Sequence, residues 1–156
     1  MVESGQRFTP QTMDFEQHVH STFSRAPLLS LIGARLVKII PGEVEVLLPF
    51  RADFTQQNGF LHAGIITTIA DAACGLAAIS LMPADATGLS VEFKVNLLSP
   101  AKGERFIARG QVVKPGRTIF FCEGEVFSIN GEEQKLVATM TATMIKNQVR
   151  SGDILS

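Results

Sequence analysis

The segment NGFLHAGIITTIADAACGLAAISLM, Asn58 to Met82, constrains the fold more than any other part of the chain. From Ile65 to Met82 it is a nearly unbroken apolar run of about 18 residues, the lower limit for crossing a bilayer. Asp71 stands near its centre, where a carboxylate in a membrane would cost roughly 3 kcal/mol even on lenient insertion scales. Thr67, Thr68, Gly75 and Ser80 dilute the run further. The segment therefore predicts a long helix buried inside a protein, not a membrane span. It should end before Pro83, which cannot continue it.

Asp71 is then the anomaly. It lies far from either end of the predicted helix, so it cannot act as a cap. An unpaired carboxylate in such surroundings costs several kcal/mol, and proteins usually keep one only for a function. Between Asp53 and Asp85, His62 is the other acidic or basic side chain, and it sits at the helix start.

A chain of 156 residues can bury about two thirds of its unfolded surface as one domain. A hydrophobic share of 46% excludes an intrinsically disordered chain. A net charge of −1 gives no basic footprint for nucleic acid. Cys74 and Cys122 lie in apolar surroundings without a CxxC spacing, which predicts two reduced core thiols in a cytoplasmic protein. The opening run MVESGQRFTPQTMDFEQ carries no apolar signal core and points the same way.

Upstream of the long helix, Phe15, Val19 and Phe23 recur at a spacing of four. That is the stripe of a helix over Met13–Ser24, with His18 and His20 on its surface. A short helix near Pro27–Leu31 follows, closing an N-terminal helical segment over residues 1–32. The period then changes. ARLVKIIPGEVEVLLPF reads as two strands joined at Pro41-Gly42, and 51–61 as a polar loop. After the long helix come the strand-like runs TGLSVEFKVNLLS, ERFIARGQVVK, RTIFFCEGEVFSI and QKLVATMTATMI. Turn signals stand at Pro115-Gly116 and Asn130-Gly131. Short turns predict one antiparallel meander of these four strands, with Val91, Phe93, Val95 and Leu97 on one face of the first. Only the long helix is apolar enough to cover the sheet. The layout is α+β, a curved antiparallel sheet wrapped around one helix, over residues 33–147. Residues 148–156 read as a loose tail.

That layout resembles the hot-dog fold. HAGIITTIADAACGLAA resembles the signature of the PaaI-type acyl-CoA thioesterases, a His-Gly-Gly at the helix start and an acid nine positions after the His. His62 and Asp71 match in type and spacing, while Ala63 stands where the pattern has Gly. LSVEFKVNLLSPAKGE and the Gly116-Arg117 pair are similar to later parts of the same family, so the resemblance covers about Ala34 to Lys146.

The resemblance implies hydrolysis of an aryl or medium-chain acyl-CoA thioester. Asp71 would be general base on water or nucleophile. His62 could serve as a catalytic base, but the family pattern implies that it orients the loop, and the N–H groups of Ala63 and Gly64 would hold the oxyanion at the positive end of the helix. Gln56 falls on the family's amide position six residues before the His, with Asn58 as the alternative amide. Ser90 would hold the attacking water. Lys114, Gly116 and Arg117 would meet the phosphates of coenzyme A. No metal and no cofactor beyond coenzyme A itself is implied. A non-catalytic acyl-CoA-binding domain and an acyl-thioester hydratase or dehydratase stay open as rival roles.

His62 and Asp71 lie nine residues apart, about 13 Å along one helix. They cannot act on one atom within one chain. The proposed chemistry therefore needs a homodimer in which Asp71 of one subunit meets the helix start of the other, and the family extends such pairs to homotetramers.

Overall fold

The structure, a computed structural model, describes residues 7–148. Two short helices, α1 (Phe15–Ser24) and α2 (Pro27–Ile32), precede a hairpin of β1 (Arg35–Ile40) and β2 (Glu43–Pro49). The long helix α3 (Ala63–Ile79) follows, and then β3 (Ala86–Leu97), β4 (Arg105–Pro115), β5 (Ile119–Asn130) and β6 (Glu133–Gln148). The tail expected from residue 148 lies outside the described residues, save Gln148, which ends β6.

Local chemistry sets the helix ends. Pro27 opens α2, where its fixed φ suits a first turn, and Gly33 closes it in the left-handed region at φ 78°. The Ser80 hydroxyl donates to the Ala77 carbonyl (2.6 Å) and accepts the Gly42 N–H (2.8 Å). This fully buried serine stops α3 short of Met82 and ties its end to the β1–β2 turn. In α1, Val19 is fully buried as the stripe requires. His18 departs from expectation. It is half-buried, and its Nε2 donates to the Ala86 carbonyl (3.0 Å), tying α1 to the start of β3.

The strands form one sheet in the order β1-β2-β4-β5-β6-β3, every pair antiparallel. Only β4, β5 and β6 make the expected meander. β3 crosses to the far edge and pairs with β6, because Leu98–Glu104 forms a crossover instead of a tight turn. Along that connection the Leu98 N–H donates to Val137 (2.8 Å), and Ala101 accepts the Leu61 N–H (3.0 Å) just before α3.

α3 packs across this sheet with Ile66, Ile69, Ala70, Ala73, Cys74 and Ala77 buried. Two strand glycines form its seat. A Cβ on Gly110 of β4 would lie 2.2 Å from the Ala73 carbonyl carbon, and one on Gly124 of β5 would lie 2.9 Å from Cys74 Sγ. The helix backbone thus rests almost directly on the sheet backbone, an approach that only glycine permits.

β3 holds a second correction. Its register against β6 shifts between Ser90 and Glu92, leaving Val91 as the extra residue of a bulge. Phe93, Val95 and Leu97 oppose Ala142, Met140 and Ala138, and Ser90 opposes Met144, so all four share the face of that buried ladder. Without the bulge, strict alternation would put Ser90 on the other face from Phe93.

Candidate active site

Of the clefts that open along α3, two share no lining residue, and a further one is lined by His62, Gly64 and Thr68. The first, of about 440 Å³, lies at the helix start and is bordered by Gln56, Asn58, Ala63, Leu97 at the end of β3 and Leu98–Ala101 of the crossover. The second, of about 270 Å³, lies midway along the helix and holds Asp71 and Ser90.

At the helix start, His62 is the N-cap, extended at φ −61° and ψ 140°. Its Nδ1 accepts the Gly64 N–H at 2.9 Å, so its proton is carried on Nε2. This corrects the expectation for Gly64, whose N–H is occupied by the imidazole. The Ala63 N–H has no hydrogen-bond partner among the described residues, and Ala63 lines the cleft. A donor left free in the first turn, at the positive end of a 17-residue helix, suits a developing negative charge. Gln56 and Asn58 both lie beside it, and the Asn58 N–H donates to the Gln56 side-chain oxygen.

At mid-helix, Asp71 is half-buried and paired, where the sequence suggested an isolated acid. Ser90 Oγ donates to its Oδ1 at 2.6 Å and lies 3.4 Å from Met144 Sδ. The β3 bulge makes this bond possible, because it turns Ser90 toward α3. Sequence reasoning missed the rest of the cleft. Phe23 of α1, Leu28 of α2 and Ala26 between them line it opposite Gly75, Leu76 and Ile79 of α3. The available signal was Gly75 itself, a poor helix former in mid-helix with no turn to explain it.

Lys114, Gly116 and Arg117 sit at the β4–β5 hairpin, exposed, and line neither cleft. Gly116 has a structural reason to be glycine, since a Cβ there would lie 2.4 Å from the Ile119 carbonyl oxygen. Lys102 and Lys135 instead line a depression that shares Pro100 with the helix-start cleft. Among the described residues, no group of three or more His, Cys, Asp or Glu side chains is placed to hold a metal ion. No described helix is long and apolar enough to cross a membrane.

A six-stranded antiparallel sheet packed on one long central helix is the hot-dog fold. Residues 58–135 match the Thioesterase superfamily, and the chain belongs to that family. Human acyl-coenzyme A thioesterase 13 is 31% identical over 106 residues, 66% of this chain and 72% of that protein. The crystal structure of a thioesterase family protein from Silicibacter pomeroyi is similar with a TM-score of 0.85 at 47% identity, covering 86% of this chain and 99% of that one. The PaaI protein of the E. coli phenylacetic acid degradation operon has the same fold at a TM-score of 0.76 and 18% identity, over 87% of this chain and 94% of that one.

Proposed function

We propose that the protein hydrolyses an acyl-CoA thioester to the free acid and coenzyme A, in sites shared between two copies of the chain. The Ser90–Asp71 hydrogen bond inside a mainly apolar cleft carries this reading. It fixes a carboxylate where an acyl group would lie and leaves Oδ2 free to take a proton.

Water bound at Asp71 attacks the thioester carbonyl carbon and gives its proton to the carboxylate. The new C–O bond forms as the carbonyl electrons move onto oxygen, and the oxyanion is held by the Ala63 N–H with the Gln56 amide beside it. The tetrahedral centre then collapses, the C–S bond breaks, and the departing thiolate takes the proton back from Asp71. A preorganised N–H donor of this kind contributes roughly 3–4 kcal/mol to the transition state.

Ala63 and Asp71 are eight residues apart on α3, about 12 Å, so they act together only across two chains. β3 is an edge strand with Leu89, Val91, Phe93 and Leu97 exposed, a surface suited to a second copy. Lys102 and Lys135, set against the one acid Glu133 among the described lining residues, give the helix-start cleft a net cationic neighbour for the phosphates of coenzyme A.

The test is thiol release from a panel of aryl- and alkyl-CoA thioesters by wild type and Asp71→Ala. Turnover should fall at least about a hundredfold in the variant. Equal turnover removes Asp71 from the mechanism. Binding without turnover in both proteins favours an acyl-CoA-binding domain.

A further inference from the structure

α3 contains one glycine with no structural reason to be there. Gly110, Gly116 and Gly124 are each pressed against other atoms, and Gly33, Gly42, Gly59 and Gly131 adopt positive φ. Gly75 does neither. A Cβ built on it meets nothing within 4 Å, although glycine inside a helix costs about 1 kcal/mol relative to alanine. It lies four residues after Asp71, on the same helix face, and borders the same cleft.

We infer that Gly75, together with Phe23 and Leu28 of the N-terminal helices, sets the size of the acyl group the enzyme accepts. The inference rests on the thioesterase reading and names the substrate class of that site, an uncharged apolar acyl group. The cleft extends from Asp71 past Gly75 to Leu76 and Ile79, with Phe23, Ala26 and Leu28 opposite. Among the described residues that line it, Asp71 is the only charged side chain. An acyl group ending in a second carboxylate would meet no cation there and would face Asp71 itself, so malonyl- and succinyl-type thioesters are poor substrates. The volume of about 270 Å³ is roughly twice the 150 Å³ apolar cavity that takes benzene in another protein. A medium-length chain or a substituted ring therefore fits. The missing side chain at 75 provides the depth, and Phe23 and Leu28 close the far wall.

Two series on the full-length protein test this. Gly75→Ala, Gly75→Val and Gly75→Leu are compared with wild type on straight-chain acyl-CoAs from butyryl to dodecanoyl, with kcat/KM measured for each, and calorimetric Kd measured for each with Asp71→Ala added to stop hydrolysis. The ratio of decanoyl to butyryl kcat/KM should fall progressively, by at least roughly tenfold for Gly75→Leu, because each lost methylene-sized space is felt separately. Leu28→Ala should move the ratio the other way. An unchanged ratio in Gly75→Leu and Leu28→Ala overturns the inference, as does equal loss at every chain length in variants whose unfolding temperature matches wild type. The Kd series reads the cleft independently of turnover. A wild type that binds with this chain-length dependence but releases no thiol defeats the thioesterase reading alone.

Discussion

Ser90 Oγ and Asp71 Oδ1 lie 2.6 Å apart, joined across the gap between the edge strand and the central helix. The contact depends on the residue that follows Ser90, whose own side chain takes no part in it. The Val91 bulge returns the strand to its apolar alternation after Ser90 and so lets serine and phenylalanine share a face. Ser90→Ala should lower kcat about tenfold to a hundredfold with KM little changed, through loss of the group that fixes the carboxylate. Deletion of Val91 should lower kcat as much or more while Ser90 itself is retained. Steady-state kinetics on both variants check this, and wild-type turnover after the deletion would separate the bulge from catalysis.

Ala63→Pro isolates the oxyanion donor. Position 63 opens the helix, where proline is tolerated, and His62 before it is already in the extended geometry that proline demands. The substitution removes one N–H and should leave the thermal unfolding temperature within a few degrees of wild type. Turnover should fall by roughly 10²–10³. If sites are shared, Ala63→Pro and Asp71→Ala chains refolded together should regain activity that neither has alone, because one of the two sites in a mixed dimer is then intact. Absence of any recovery in a demonstrated heterodimer counts against sharing.

Much of this arrangement was legible from residue pattern. Asp71 was conspicuous because a charge in an apolar run is costly, and the helix seat followed from that run being the only one able to cover a sheet. The β3 crossover was not legible. The chain after Leu97 carries Ser99-Pro100 and Gly103, turn-forming residues compatible with either a hairpin or a crossover. The bulge was hidden for a related reason, since Val91, Phe93, Val95 and Leu97 alternate faultlessly in sequence whichever of them is the extra residue. The occupied Gly64 N–H depended on which way the His62 ring turns, a choice that spacing does not encode.

The two thiols predict an alkaline weakness. Burial pushes Cys122 from the ordinary value of about 9 up to about 12, and Cys74 higher still, with Cys122 beside it adding to the effect. Both folded values lie above the unfolded one. The stability they contribute is therefore complete below pH 9 and is lost as the pH rises from there toward the folded values, because only the unfolded chain ionises. Denaturation midpoints should hold steady up to about pH 8.5 and decline beyond it, by up to about 1.4 kcal/mol per thiol per pH unit. Cys122→Ala should flatten the decline. At pH 8 the native protein should react with a thiol reagent only as fast as it unfolds, since both side chains are 0% exposed.

Gly110→Ala should be among the most damaging single-methyl additions in the protein. The new carbon would lie 2.2 Å from the backbone of Ala73, and neither backbone can yield without lifting α3 from the sheet. A loss of about 3 kcal/mol or more is expected in urea unfolding. Gly75→Ala, in the same helix but facing open space, should be neutral or slightly stabilising by the same measurement.

The eight-residue interval from Ala63 to Asp71 behaves as a ruler with an angular scale. Adding or removing one residue between them moves the acid only about 1.5 Å along the axis but swings it about 100° around it, away from Ser90 and into the sheet or the solvent. Sequence drift can exchange side chains along this stretch, but an insertion or deletion there removes the acid from its site in one step. The interval's length therefore acts as a single unit, independent of which residues fill it.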